Sequence, residues 1–242
     1  MGWQDGQTRE AEPEQSIMLA SLTSNPDSIG RFATLCQASH LLSLVIKHRN
    51  SGNHPPVTDI SPELLRNDIT RLDEALQLHR TLVALDGRIV LPPGPSPEIP
   101  ENADALAVVC LARFILYNLY GCSEPDVRSG LERLRIETEM QRESVKGIMH
   151  MSTTRVPQIA GLITNRAAAT SAETGRSISV VFAQCFYHTA TECAWFVREG
   201  SGPEMRAGLN LMISALRQIA HSWDVASRYF DFSTFVGETS GC

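Results

Sequence analysis

Alternating steps of four and three bring Met205, Leu209, Met212, Leu216, Ile219, Trp223, Ala226 and Phe230 onto one stripe of the stretch from Pro203 to Asp231. That spacing predicts one amphipathic α-helix, which at 1.5 Å per residue would run roughly 40 Å, longer than a small domain is wide. A seam of that length must be covered by other elements, so the rest of the chain has to supply helices long enough to pack along it. Gly202-Pro203-Glu204 suits the helix start, because proline tolerates the first helical position and an early acid favours the positive end of the dipole. The expected cover is the helix beginning near Ile29 and the helix beginning near Ser177, with Trp223 between them.

The chain can provide that cover. Its 242 residues are 43% hydrophobic and 20% charged, an ordinary globular balance. The polar stretch 1–15 has no periodicity and is expected to be a disordered leader. A helical domain is expected over 16–235, with a flexible tail at 236–242. Asn25-Pro26 opens a first helix reaching about Arg49, apolar around most of its circumference and expected to be deeply buried. Ser61-Pro62-Glu63 opens a second, with Leu65, Ile69, Leu72, Leu76, His79 and Val83 on one face and a stop at Asp86-Gly87. Arg88 to Leu91 reads as a stub of strand, and the proline-rich run from Pro92 as a surface connection.

Glu101 to Cys122 is almost wholly apolar, a core helix closed by Gly121. Ser123-Glu124-Pro125-Asp126 has the capping-box pattern of a fourth helix. The charged stretch of that helix, Glu137 to Lys146, should face solvent, and a break is expected near Gly147 or before Pro157. Asn165 to Ser177 reads as a loop. Ser177 then caps a helix with Phe182, Cys185, Thr189, Cys193 and Phe196 on one face. The fold class is all-α: a single irregular domain of six or seven helices with the long C-terminal helix in the core.

Charge and composition narrow the function. A formal charge of -6, with Lys47 and Lys146 the only lysines, speaks against a surface that grips phosphates by bulk positive charge, and so against direct nucleic-acid contact. No apolar run reaches the roughly 18 residues that a membrane helix needs. The six scattered cysteines suit reduced core thiols in an intracellular compartment.

Four stretches carry a resemblance: Ile29 to His48 (IGRFATLCQASHLLSLVIKH), Leu64 to Leu85, Leu111 to Tyr120 (LARFILYNLY) and Asn210 to Phe230. In this order they resemble the C-terminal part of the regulatory (middle homology) domain of fungal zinc binuclear cluster transcription regulators, the fungal-specific transcription factor domain. The phrase FATLCQASHLL and the closing helix with Trp223, Ala226 and Tyr229 carry most of the weight, and the resemblance spans roughly Ser16 to Phe232. It implies a nuclear, non-catalytic domain that controls transcription through a small-molecule effector, protein partners or a homodimer. The family's zinc belongs to a separate cluster of six closely spaced cysteines. Cys36, Cys110, Cys122, Cys185, Cys193 and Cys242 lie far apart, so no cofactor is expected in this chain. The chain is then expected to be a fragment, a truncated product, or a paralogue without the DNA-binding part.

Candidate chemistry is sparse. Cys36 and His40, four apart, have metal-chelating spacing but no further ligand nearby, and read as a core thiol beside a histidine. Cys185, His188 and Cys193 lie loosely on one apolar helical face and read the same way. Asp68, Asp73 and Glu74 alternate with Arg66 and Arg71 as a solvated face. The chain lacks a phosphate-binding glycine loop, a nucleophile elbow and a His-Glu-x-x-His pair, and a non-enzyme is expected. Arg113 stands out as a cation inside an apolar helix, which needs a carboxylate such as Glu192 or Asp224, or else an acidic ligand. Tyr117, Phe186, Trp223 and Tyr229 are the aromatic candidates for the wall of a small-molecule pocket. The alternative function is a stand-alone helical small-molecule-binding or accessory protein with no DNA-binding module.

Overall fold

A computed structural model describes residues 30–51, 62–91, 100, 102–121, 131–169, 179–200 and 202–220. Within them the chain is all-α. The helices are α1 (Arg31–Ser51), α2 (Pro62–Arg88), α3 (Ala103–Asn118), α4 (Leu131–His150), α5 (Val156–Ala169), α6 (Val180–Arg198) and α7 (Pro203–Ala220). A π turn, Met151–Arg155, joins α4 to α5 without a break. The expected leader, the tail and the second half of the seam, including Trp223 and Tyr229, lie outside the described residues.

The core is built around α3. Twelve of its residues are buried, from Ala103 to Tyr117, and they occupy every side of the helix. A helix apolar all round has to be enclosed by neighbours, and α1, α2, α4 and α6 pack against it. Small residues such as Ala105, Ala107 and Ala112 let those neighbours approach. Phe114 and Leu116, both fully buried, fill the space between; each such side chain contributes ~1.5–3 kcal/mol through loss of apolar surface to water.

The α7 seam holds as spaced: Met205, Met212, Leu216 and Ile219 are buried, and Gly208 and Ala215 join them. Over Pro203–Ala220 its cover differs from expectation. Helix α6 is one partner as foreseen, but the other is α5 with the π turn, while α1 packs on α3 and α2. The first helix is likewise not deeply buried all round. Ala38, Leu41, Val45 and His48 form its inner stripe, whereas Phe32 is 79% exposed and Ile46 also faces out. The apolar surface of α1 is wider than the one face that α3 can cover.

Local differences have local causes. Helix α2 continues through Asp86 and Gly87 to Arg88, and residues 89–91 form no strand. Gly87 keeps an ordinary φ, so it supplies no left-handed stop. Within Glu137 to Lys146 the helical period turns Glu137, Met140 and Ser144 inward, leaving only part of the stretch in solvent. The expected break near Gly147 is absent because Gly147 is where α4 presses on α3: a Cβ there would overlap the Tyr117 ring. Helix α5 runs on through Asn165 to Ala169, since nothing in Asn165 to Ala169 forbids it. The N-cap of α6 is Ser179, whose hydroxyl accepts from the Val181 N–H at 3.4 Å; Ser177 lies outside the described residues, as does the expected capping box at Ser123.

Pro157 does not break the α4–α5 rod because the rod widens just before it. The Val156 N–H reaches back five residues to the Met151 carbonyl, and proline, lacking an N–H, enters where the ladder is already shifted. Across this turn the backbone of Gly208 on α7 lies against the Ser152 carbonyl, so close that a Cβ would stand 3.2 Å from its oxygen.

Candidate functional site

The charged residue inside α3 finds its partner at the end of α2. Arg113, 3% exposed, donates through Nη1 to Asp86 Oδ2 at 2.6 Å. Asp86 is therefore the carboxylate that the apolar helix required. Glu192, one of the two acids expected there, instead sits on α6 beside Asn118, its carboxyl raised above the usual range chiefly by burial. Asp224, the other, lies outside the described residues.

Asp86 carries a second cation. Arg155, the last residue of the π turn, donates from Nε to Asp86 Oδ1 at 2.8 Å, and its Nη2 reaches the backbone carbonyls of Asp86 and Ile89 at 2.9 Å each. The π turn thus aims a guanidinium at the C-terminus of α2, where unsatisfied carbonyls and the negative end of the dipole favour it. One carboxylate is shared by two guanidiniums, so the cluster retains a unit of positive charge.

From Arg113 the network continues inward. Its Nε–H donates to the Tyr117 oxygen at 3.1 Å, one turn along α3. The Tyr117 hydroxyl and His79 Nδ1 share the next hydrogen bond, at 2.8 Å, whose direction follows the imidazole tautomer. Burial, reinforced by Arg113, holds the His79 pKa below its ordinary value, in agreement with a neutral ring. Burial raises Tyr117, against the opposing pull of Arg113. Burial by itself would lower Arg113; contacts with Tyr117 and then Asp86 outweigh it, and the net direction is up. All three effects favour a charged Arg113 beside a neutral Tyr117 and a neutral His79.

The outer end of this network opens on a cleft of about 690 Å³. Asp86, Arg155, His150 and Gln158 give it a polar side, and Val90 and Leu162 belong to its apolar side. This volume lies in the range of small-molecule sites, which combine an apolar wall with a few placed polar groups. A second cleft of about 320 Å³ runs between α4 and α6, with Val145, Ile148, Trp195 and Phe196 on its walls and Glu192 at its edge.

Of the residues singled out from sequence, Arg113 and Tyr117 are brought together. Phe186 is fully buried next to Phe182, ring centroids 6.2 Å apart, and lines neither cleft. Trp223 and Tyr229 lie outside the described residues. Cys36 and His40 are both exposed, so Cys36 is no core thiol. Cys185 and Cys193 are buried free thiols: a hydrogen bond with Cys110 together with burial raises Cys185, and burial pushes Cys193 up to about 11. His188 stacks on Phe114 instead. Asp68, Asp73 and Glu74 face outward. Among the described residues no group of three or more His, Cys, Asp and Glu stands close enough to hold a metal ion, and no helix is long and apolar enough to cross a membrane.

Sequence reasoning overlooked Asp86 and Arg155. Asp86 was detectable, as an acid set between Leu85 and Ile89 at the end of an amphipathic helix while Arg113 lacked a partner. Arg155, in a polar stretch before Val156 and Pro157, gave no such signal; only the π turn decides where it points. No family model, curated protein or solved structure matches this chain.

Proposed function

We propose that this chain is a regulatory domain of the kind found in fungal zinc binuclear cluster transcription regulators, a non-catalytic helical unit acting in the nucleus through an effector or protein partner. The order of the four resembling stretches suggests the family. The observation that carries an effector-responsive role is the position of the cleft: its Arg155 also holds Asp86, and Asp86 holds Arg113 in the centre of the bundle. A ligand that competes for Arg155 would alter contacts between α2, the π turn and α3, which gives it differential affinity for two packings of the helices. In the family that the chain resembles, zinc and DNA contact belong to a separate cysteine-rich module.

The alternative, a stand-alone small-molecule-binding protein, draws on the same cleft and differs in having no transcriptional output. Fusion of the chain to a heterologous DNA-binding module in a fungal cell separates the two. A regulatory domain changes reporter transcription relative to the module alone, and Asp86→Asn alters that change. Reporter output equal to that of the module alone, with a folded and nuclear fusion, overturns the regulatory reading and leaves the binding protein.

A further inference from the structure

We infer that the cleft beneath the π turn binds a compact organic monoanion, a carboxylate on an apolar body, with Arg155 as the residue that reads its charge. The inference deepens the effector reading above by naming a ligand class for the same cleft, but it needs only binding, not transcription.

The local charge leads to it. Asp86 is the carboxylate bonded to both Arg113 and Arg155, whose guanidiniums bring two positive charges to one negative charge. Asp86 and Arg113 are only 8% and 4% exposed at the side chain, and Arg155 15%. With Asp86 and Arg113 shielded from water, the excess charge is presented at Arg155, where it is screened less than on a freely solvated arginine. The acids on the neighbouring helix, Glu139 and Glu143, face Arg80 and Lys146 and act on His79, at the far end of the network. His150, from α4, adds a further donor at the rim of the cleft.

The donor inventory of Arg155 agrees. Nε and Nη2 are taken by Asp86 and the Ile89 carbonyl, whereas Nη1 makes only a long 3.3 Å bond to Gln158 Oε1, an exposed side chain on the cleft wall. The Gln158 oxygen is a neutral acceptor at the place where a ligand carboxylate would sit. Exchanging it for a charged acceptor makes a shorter, charge-assisted bond without disturbing the bonds that hold α2. In the same cleft, Ile89, Leu91 and Leu162 supply apolar surface for the remainder of the molecule. Gly161 leaves room as well, with no atom within 4 Å of a Cβ built on it. A dianion is disfavoured, since the cluster offers only one net positive charge.

The test is calorimetric titration and thermal shift on the full chain with phenylacetate and 4-methylpentanoate, each beside its neutral primary amide. The carboxylates should saturate one site and raise the melting temperature, and the amides should bind at least ~10-fold more weakly. Gln158→Glu puts an internal carboxylate on Arg155 and should weaken the acids at least ~10-fold while the protein stays folded. Gly161→Leu, whose Cβ meets no atom within 4 Å and whose longer side chain occupies the cleft, should do the same. Equal binding of acid and amide overturns the inference, as does undiminished binding to either variant or no binding of either acid. A silent reporter with intact, Gln158→Glu-sensitive binding overturns only the transcriptional reading.

Discussion

Asp86 is the residue on which the polar core depends most, because among the described residues it alone answers two guanidiniums from two other elements. Removing one member of a buried pair strands the other, at a cost of roughly 3–5 kcal/mol. Asp86→Asn should approach that loss, measured as the shift of a urea unfolding midpoint at constant slope. Arg113→Met should cost clearly less, since Asp86 keeps Arg155 and the new side chain suits an apolar helix. The reverse order would mean that Arg155 does not hold the carboxylate in solution. The first half of this pair was legible in the chain: a lone cation between Ala112 and Phe114 has to be answered. Its partner was not, because Asp86 followed by Gly87 reads equally well as a helix stop, and the choice between the readings depends on tertiary packing.

At the scale of elements, α7 and α4 make opposite demands. The α7 seam is a matter of volume: Met212 is fully buried, so Met212→Ala should cost ~2–5 kcal/mol, while the exposed Asn210→Ala should stay within about 0.5 kcal/mol. The α3–α4 contact is a matter of absent volume. Gly147→Ala drives a methyl group into the Tyr117 ring and should cost ~1–3 kcal/mol, whereas Gly161→Ala meets nothing and should gain ~0.5–1 kcal/mol from helix propensity. Equal thermal midpoints for the two glycine variants would contradict the close approach. Period-based reading located both helices, since Met205 to Ile219 repeats on one stripe. It could not tell a glycine that breaks a helix from one that admits a neighbour, and so Gly147 was expected to interrupt the rod that it in fact anchors.

Across the described molecule, three histidines from three helices converge on the end of α3 and the turn that follows it. His48 of α1 bonds the Tyr120 hydroxyl at 2.7 Å, His79 of α2 bonds Tyr117, and His188 of α6 stacks on Phe114. Burial is the first cause holding each below its ordinary pKa. For His48 the Glu74 carboxylate at 3.7 Å pulls the other way, but burial and Arg71 prevail, so the ring is neutral and no ion pair forms there. Unfolded, each imidazole takes up a proton near pH 6.5; folded, it does so only at lower pH. The stability tied to these neutral rings is thus complete above about pH 6.5 and is lost as pH falls through that value towards the folded pKa values. The thermal midpoint should be level from about pH 8 to 7 and decline between about 6.5 and 5, with a shallower decline in His79→Gln. A midpoint level down to pH 5 would show the rings to be solvated. The all-α class and the burial of α3 were legible, the latter from its unbroken apolar run, but its central place was not, since the α7 seam had pointed to the C-terminal helix; nor was the histidine convergence, because it joins positions far apart in the chain.

The π turn carries a consequence for how this chain can vary. An α-helix advances about 100° per residue, and a turn closed by a five-residue reach contains one residue more than the faces before and after it need. Met140 and Gly147 on one side, and Ile159 and Ile163 on the other, meet the same core because that surplus residue is absorbed at Met151–Arg155. In the language of alignments, this is the one place in the α4–α5 rod where a single-residue gap leaves both faces in phase. Deleting the exposed Thr153, with Pro157→Ala to restore the missing donor, should therefore give a folded protein of unchanged helicity by circular dichroism. The same deletion made at Gln141 should rotate one half of the rod out of the core.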